Sequence, residues 1–221
     1  DVCSSDLFFD DAKTASAELD LVLTGRDCGL EERAPMCGVP YHAVDAYINR
    51  LLQGGHKVAI CDQLEDPSQA QGMVKRGVTR VITPGTVTEP AMLSDTDNNY
   101  ILSAARLEGT AGICYADVST GEFIAYEIEG SDAALQGEIA RISPKEMICA
   151  EKDGGWAASL LADPRLKNIY LNPYFDWAYG ADAAEKTLEE HFKTAGLRAF
   201  GISDKPAAVS AAGALMRYLK E

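Results

Sequence analysis

Three short stretches of the 221-residue chain carry side chains that could do chemistry. The first is Tyr115-Ala-Asp-Val-Ser-Thr-Gly121, followed by Glu122, which sets a carboxylate at the end of a strand-like run. Two-metal phosphoryl chemistry needs several converging carboxylates. Only Asp117 has a suitable strand position here, and Glu146 stands at the start of its own apolar run. The same pattern also reads as a turn, in which an aspartate oxygen accepts from the backbone two residues on. The second stretch is Ala34-Pro-Met-Cys-Gly-Val-Pro-Tyr-His-Ala43. Its two prolines suggest a stiff, solvent-facing loop that presents Tyr41 and His42 to a ligand, or that simply packs Tyr41 and uses His42 as a cap. The third, Lys75-Arg-Gly-Val-Thr-Arg80, is the densest basic cluster. It could touch phosphates or be plain solvated surface.

Other chemistries lack their residues. There is no Gly-x-x-x-x-Gly-Lys-Ser/Thr loop, no Gly-x-Ser-x-Gly elbow and no Gly-x-Gly-x-x-Gly fingerprint. His42, His56 and His191 are far apart, and the six cysteines (Cys3, Cys28, Cys37, Cys61, Cys114, Cys149) have no zinc spacing. The cysteines read as small buried residues in a reducing compartment. A net charge of −14 opposes general electrostatic binding of nucleic acid. No apolar run reaches the roughly 18 residues that span a bilayer, and Asp1 to Phe9 does not read as a secretory signal, so a cytoplasmic location is expected.

The elements that would position these groups alternate between helix and strand periods. In the first half, Asp10–Leu19 predicts a helix and Leu21–Thr24 a short strand. Val44, Tyr47, Ile48, Leu51 and Leu52 predict an amphipathic helix that ends at Gly54-Gly55. Lys57–Leu64, with Val58, Ile60 and Leu64 on one face, and Val78–Thr83 predict strands. The polar stretch 91–99 reads as a linker between domains at 1–90 and 100–221. In the second half, Asn99–Leu107, Thr110–Val118 and Glu122–Glu129 predict consecutive strands, the last two joined as a hairpin through Ser119-Thr-Gly121. A helix with Leu135, Ile139 and Ile142 follows, with Ser131 as its N-cap. Glu146–Ala150 and Asn168–Leu171 then predict buried strands, and Pro206–Leu219 a closing helix. The fold class is α/β.

Several blocks carry a resemblance. Phe8-Phe-Asp-Asp-Ala-Lys13, Leu19-Asp-Leu-Val-Leu-Thr24, Pro35-Met-Cys-Gly-Val-Pro-Tyr-His-Ala43, Val58-Ala-Ile-Cys-Asp-Gln-Leu-Glu-Asp66 and Arg80-Val-Ile-Thr-Pro-Gly-Thr86 resemble the mismatch-recognition domain of the bacterial MutS family. Tyr115-Ala-Asp-Val-Ser-Thr-Gly-Glu-Phe123 and Ser143-Pro-Lys-Glu146 resemble its connector domain. The resemblance implies a mixed-sheet recognition domain followed by a ribonuclease-H-like connector that is not a nuclease. It also implies recognition of mispaired or unpaired bases in duplex DNA. Further implied partners are a MutL-type protein at the connector, the remainder of MutS, and a second copy in a homodimer. ATP and magnesium would belong to other domains of the family, with no cofactor held by this chain and no catalysis of its own. A nucleoid-associated location follows from the same likeness.

In the family, the phenylalanine of a Phe-x-Glu motif wedges beside the mispaired base from the minor groove, and the glutamate hydrogen-bonds that base. Such a wedge trades base unstacking for a kinked duplex. By register, Ser4 occupies the wedge position and Asp6 the glutamate position. Val2-Cys-Ser-Ser-Asp-Leu7 thus departs from the family's Gly-Asp-Phe-Tyr-Glu-Met, and residues 1–6 are expected to be a junction or sequence error. Arg26, Pro35, Met36, Tyr41 and His42 fall in blocks that face or support DNA in the family. The alternative reading is a metal-dependent, ribonuclease-H-like nuclease centred on Asp117.

Overall fold

Apolar residues repeat at helical spacing in some segments and alternate in others, and the backbone follows that change. The computed structural model of the protein describes residues 4–29, 32–66, 74–89, 92–93, 98–129 and 131–221. Its contacts divide it into two units, one drawn from Asp1–Pro84 and Glu89–Leu93, the other from Gly85–Thr88 and Ser94–Glu221. Cys3 and most of the predicted linker lie outside the described residues.

The first unit contains β1 (Ser4–Phe8), α1 (Phe9–Leu19), β2 (Thr24–Arg26), β3 (Ala34–Pro40), a 3-10 turn (Tyr41–Ala43), α2 (Val44–Gln53), β4 (Val58–Gln63) and β5 (Arg76–Ile82). The first three strands form an antiparallel sheet in the order β1-β3-β2. Cys37 and Leu7 of this sheet pack with Ala12, Ala15 and Leu19 of α1 and Leu51 of α2. Each large apolar side chain taken from water there contributes about 1.5–3 kcal/mol. Arg50 of α2 donates to the carbonyls of Leu19 and Glu18 at 3.3 and 3.2 Å. It thereby satisfies acceptors that the end of α1 leaves open. Gly55, with φ +83°, takes the left-handed conformation that stops α2. β4 and β5 form a separate antiparallel ribbon.

Several expectations change in this unit. The segment 34–43 is not a loop: Ala34–Pro40 is the central strand β3, with Ala34, Cys37 and Val39 buried. Its prolines conceal strand potential that pairing on both sides realises. The short strand predicted at 21–24 lies later, at Thr24–Arg26, where it meets Ala34–Met36. Cys61 and Cys28 are exposed rather than buried, because among the described residues no second layer covers the two-stranded ribbon or the loop. For the same reason Leu64 and Val78 face solvent.

The second unit contains β6 (Tyr100–Leu107), β7 (Thr110–Asp117), β8 (Glu122–Glu129), α3 (Asp132–Ile142), β9 (Glu146–Ala150), α4 (Gly154–Leu161), β10 (Tyr170–Tyr174), α5 (Ala181–Phe192) and α6 (Pro206–Tyr218). The sheet order is β10-β9-β6-β7-β8. β6, β7 and β8 form an antiparallel meander, while β9 runs parallel to β6 and β10 parallel to β9. This is a ribonuclease-H-like mixed sheet. The last strand spans Tyr170–Tyr174 rather than 168–171; Pro173 fits because β10 is an edge strand.

Side-chain alternation splits the core in two. Leu102, Ala104, Ile113, Met147 and Cys149 face α3 and α4, meeting Leu135, Ile139 and Leu160. Ile101, Cys114, Ala116 and Ile148 face α5 and α6, meeting Leu188, Ala212 and Leu215. Helix α6 is buried from Ala207 to Met216 and consists mostly of small residues, so it lies close to its neighbours. Its first turn sits over Gly112 of β7, and Gly213 sits against Ala184 of α5. Glu127 of β8 caps it, accepting from the Ala207 and Ala208 N–H groups at 2.8 and 3.3 Å. Ser131 is the N-cap residue of α3, although its hydroxyl makes no capping bond. Among the described residues no helix is long and apolar enough to cross a membrane.

Candidate nucleic-acid interface

The sequence-derived site residues of the first unit gather on the small sheet. Ser4 pairs with Pro40, Asp6 with Gly38 and Phe8 with Met36, while Thr24 pairs with Met36 and Arg26 with Ala34. Strand alternation therefore gives Asp6, Met36, Gly38, Thr24 and Arg26 one face, and Leu7, Cys37, Val39 and Pro35 the other. The second face carries the core against α1 and α2. On the first face, Arg26 reaches to 3.8 Å from Asp6. A pair this long with an exposed arginine contributes little to stability, about 0–1 kcal/mol, and the Arg26 guanidinium is accessible to a ligand.

Tyr41 follows Pro40 directly, so it stands just past the pairing position of Ser4. Tyr41 and His42 are both exposed on the 3-10 turn, Tyr41 by 67%. The structure thus brings Ser4, Asp6, Tyr41 and His42 to one end of the sheet. Arg26 and Pro35 start from the other end, with Met36 between, half-buried. Pro35 belongs by alternation to the core-facing side and supports the strand rather than the open face.

The sequence did not single out Phe9. It follows β1 without a connecting loop, has φ +53° and is half exposed. A left-handed conformation at a non-glycine residue costs roughly 1–2 kcal/mol. Here it turns the chain from β1 straight into α1, which fixes the edge strand against the helix. The basic cluster is partly committed: Arg80 pairs with Glu89, and that bond holds its guanidinium firmly protonated.

In the second unit Asp117 behaves as a turn residue. It is buried, with one carboxylate oxygen accepting from the Ser119 N–H (2.9 Å), the Ser119 hydroxyl (2.6 Å) and the Thr120 N–H (3.3 Å). Its other oxygen accepts from the Asn99 N–H at 3.1 Å. Burial pushes the carboxyl upward, but these bonds outweigh burial and hold it below the ordinary carboxylate range. No group of three or more His, Cys, Asp or Glu side chains suited to a metal occurs among the described residues. A carboxyl lowered on folding stabilises the protein above its unfolded pKa, and that contribution fades as pH falls through the folded value. Asp117→Ala is therefore expected to cost about 2 kcal/mol at pH 7, and less below about pH 4. Urea melts of both proteins at pH 7 and pH 3 check this; equal losses at the two pH values would contradict it.

A small three-stranded antiparallel sheet backed by α1 and α2 is followed in the chain by a ribonuclease-H-like mixed sheet with helices on both faces. Residues 6–91 match MutS domain I and residues 99–221 match MutS domain II. The DNA mismatch repair protein MutS of Alkaliphilus metalliredigens is 44% identical over 220 residues, covering 97% of this chain and 25% of that protein. MutS of Symbiobacterium thermophilum is 46% identical over 219 residues, again 97% of this chain and 25% of that protein. MutS of Clostridium botulinum strain 657 is 52% identical over 146 residues, covering 66% of this chain and 16% of that protein. The chain belongs to the MutS family and corresponds to an N-terminal portion of it. It spans about a quarter of the length of the curated relatives named first.

Proposed function

We propose that this chain is the DNA-reading and relaying part of a mismatch repair protein. The face of β1-β3-β2 that carries Asp6, Met36 and Arg26 meets mispaired or unpaired duplex DNA, with Tyr41 and His42 at its rim. The register that sets Ser4 and Asp6 on the edge strand beside Tyr41 supports this reading most directly. The ribonuclease-H-like unit serves as a connector: it relays to the rest of MutS and offers a surface to a MutL-type protein. Catalysis, with ATP and magnesium, belongs to other domains, and the complete protein works as a homodimer in the cytoplasm on the nucleoid. The acidic balance, 16 acids against 8 bases in residues 1–100, is compatible with this if phosphates are held by other domains.

The turn geometry of Asp117 favours the connector reading over the nuclease alternative, since every bond found at its carboxylate serves the β7–β8 turn and the Asn99 amide. An amide NMR titration with a mismatched duplex at low salt tests the interface. Shifts are expected at Ser5–Phe8, Thr24–Arg26, Met36–His42 and nowhere in β7. Shifts centred on Asp117 instead would overturn it. At physiological salt, fluorescence anisotropy should show weak binding with little preference for the mismatch, because serine offers no ring to stack on a base.

A further inference from the structure

Glu146 is wholly buried, and its carboxylate is bonded to three segments remote in sequence. Oε2 accepts from the Gly85 N–H at 3.0 Å. Oε1 accepts from the Asn172 side-chain amide at 2.9 Å and from the Tyr218 hydroxyl at 2.8 Å. Asn172 also donates to the Tyr218 oxygen at 2.7 Å, so the three side chains are mutually bonded. Gly85 is needed for this approach: a Cβ there would stand 2.8 Å from Ile101 Cβ and 2.9 Å from Glu146 Cβ. Gly85–Thr88 is where the chain enters the second unit, and Tyr218 ends α6, the last element of that unit.

We propose that Glu146 is a positioning residue that couples the entry segment of the connector to its closing helix. Buried carboxyl oxygens must keep their partners, because each one lost leaves a polar atom unsatisfied in the interior. Loosening the hydroxyl of Tyr218 therefore weakens the hold on the Gly85 N–H, and the effect is reciprocal. The role deepens the relay reading given above and rests on it: one carboxyl group touches both the segment by which the chain enters this unit and helix α6.

Amide hydrogen exchange on the full chain tests the coupling without DNA. Tyr218→Phe removes one hydroxyl and is expected to speed exchange at the Gly85 amide at least tenfold, 133 positions away in sequence. Glu146→Gln is expected to speed exchange both at Gly85 and at Leu219, whose N–H closes the last turn of α6 on Leu215. Central β7 amides such as Ile113 should keep their rates in both variants. An unchanged Gly85 rate in Tyr218→Phe overturns the coupling. So does uniform acceleration that includes β7, which would make the network a purely structural one. Should Glu146→Gln fail to fold, Tyr218→Phe alone decides. Failure of the DNA-binding reading would leave these rates untouched, so the two outcomes are separable.

Discussion

Replacing Gly112 with alanine is expected to melt the connector unit at least about 10 °C below the parent protein. A Cβ on this residue would fall on the Ala207 carbonyl and the Ala208 nitrogen, which are backbone atoms of α6 and not the far end of a flexible side chain. The helix cannot retreat cheaply. Its N-terminus is held by Glu127 from the adjacent strand, and Gly213 in its middle is seated on Ala184. Its inner face covers Cys114, Ala116 and Ile148. Moving it opens voids along half the core, so a cost of about 3 kcal/mol or more is expected. Gly137 is the matched control. It lies within α3, exposed, with open space where a Cβ would go. Gly137→Ala should raise stability by about 0.5–1 kcal/mol through helix propensity alone. Thermal unfolding followed by circular dichroism reads both. An unchanged melting temperature in Gly112→Ala would refute the packing described for α6.

On the proposed reading, an aromatic residue at position 4 is expected to have the largest effect on DNA. The backbone of Ser4 pairs with Pro40 in an edge strand, one residue before Tyr41 in the partner strand's continuation, and Ser4→Phe tests whether an aromatic residue at this position serves DNA. Asp6→Glu lengthens the carboxylate two residues on. A base stacked on an aromatic ring gains about 1–3 kcal/mol. The double variant should therefore prefer a mismatched over a matched duplex by roughly tenfold to a hundredfold more than the parent chain does. The ratio is the proper readout, because the repulsion from a net charge of −14 acts on both duplexes alike and cancels. Competition anisotropy with the two duplexes at one salt concentration supplies it. A correctly folded double variant with no gain in selectivity would show that β1 does not present these positions to DNA.

Much of this was legible in the residues before any coordinates. Period-3.6 spacing marked α2 and α3, because a helix must bury one stripe, and short strand-like runs with the turn signal Ser119-Thr-Gly121 marked β6 to β8. The Asp117 turn was readable because its partners, Ser119 and Thr120, are neighbours in the chain. The ordered blocks of the two domains identified the family. Hidden from that reading were features whose cause lies far away in sequence. Ala34–Pro40 looks like a loop until β1 and β2 pair with it on both edges. Cys61 looks like a core residue until its ribbon is found, among the described residues, to leave it exposed. The Glu146 network joins residues 85, 146, 172 and 218.

The Pro84-Gly85-Thr86 block shows the division most clearly. Its sequence likeness places it with the recognition domain, whose match runs to residue 91, yet Gly85–Thr88 packs with the connector. By itself the sequence determined the family and the periodicity of its helices. Tertiary structure alone decided which strand is central, which carboxylate is buried and to which unit the joining segment belongs. The physical reason is that local preference depends on a residue and its neighbours, whereas burial and hydrogen-bond partners are set by groups that only folding brings within reach.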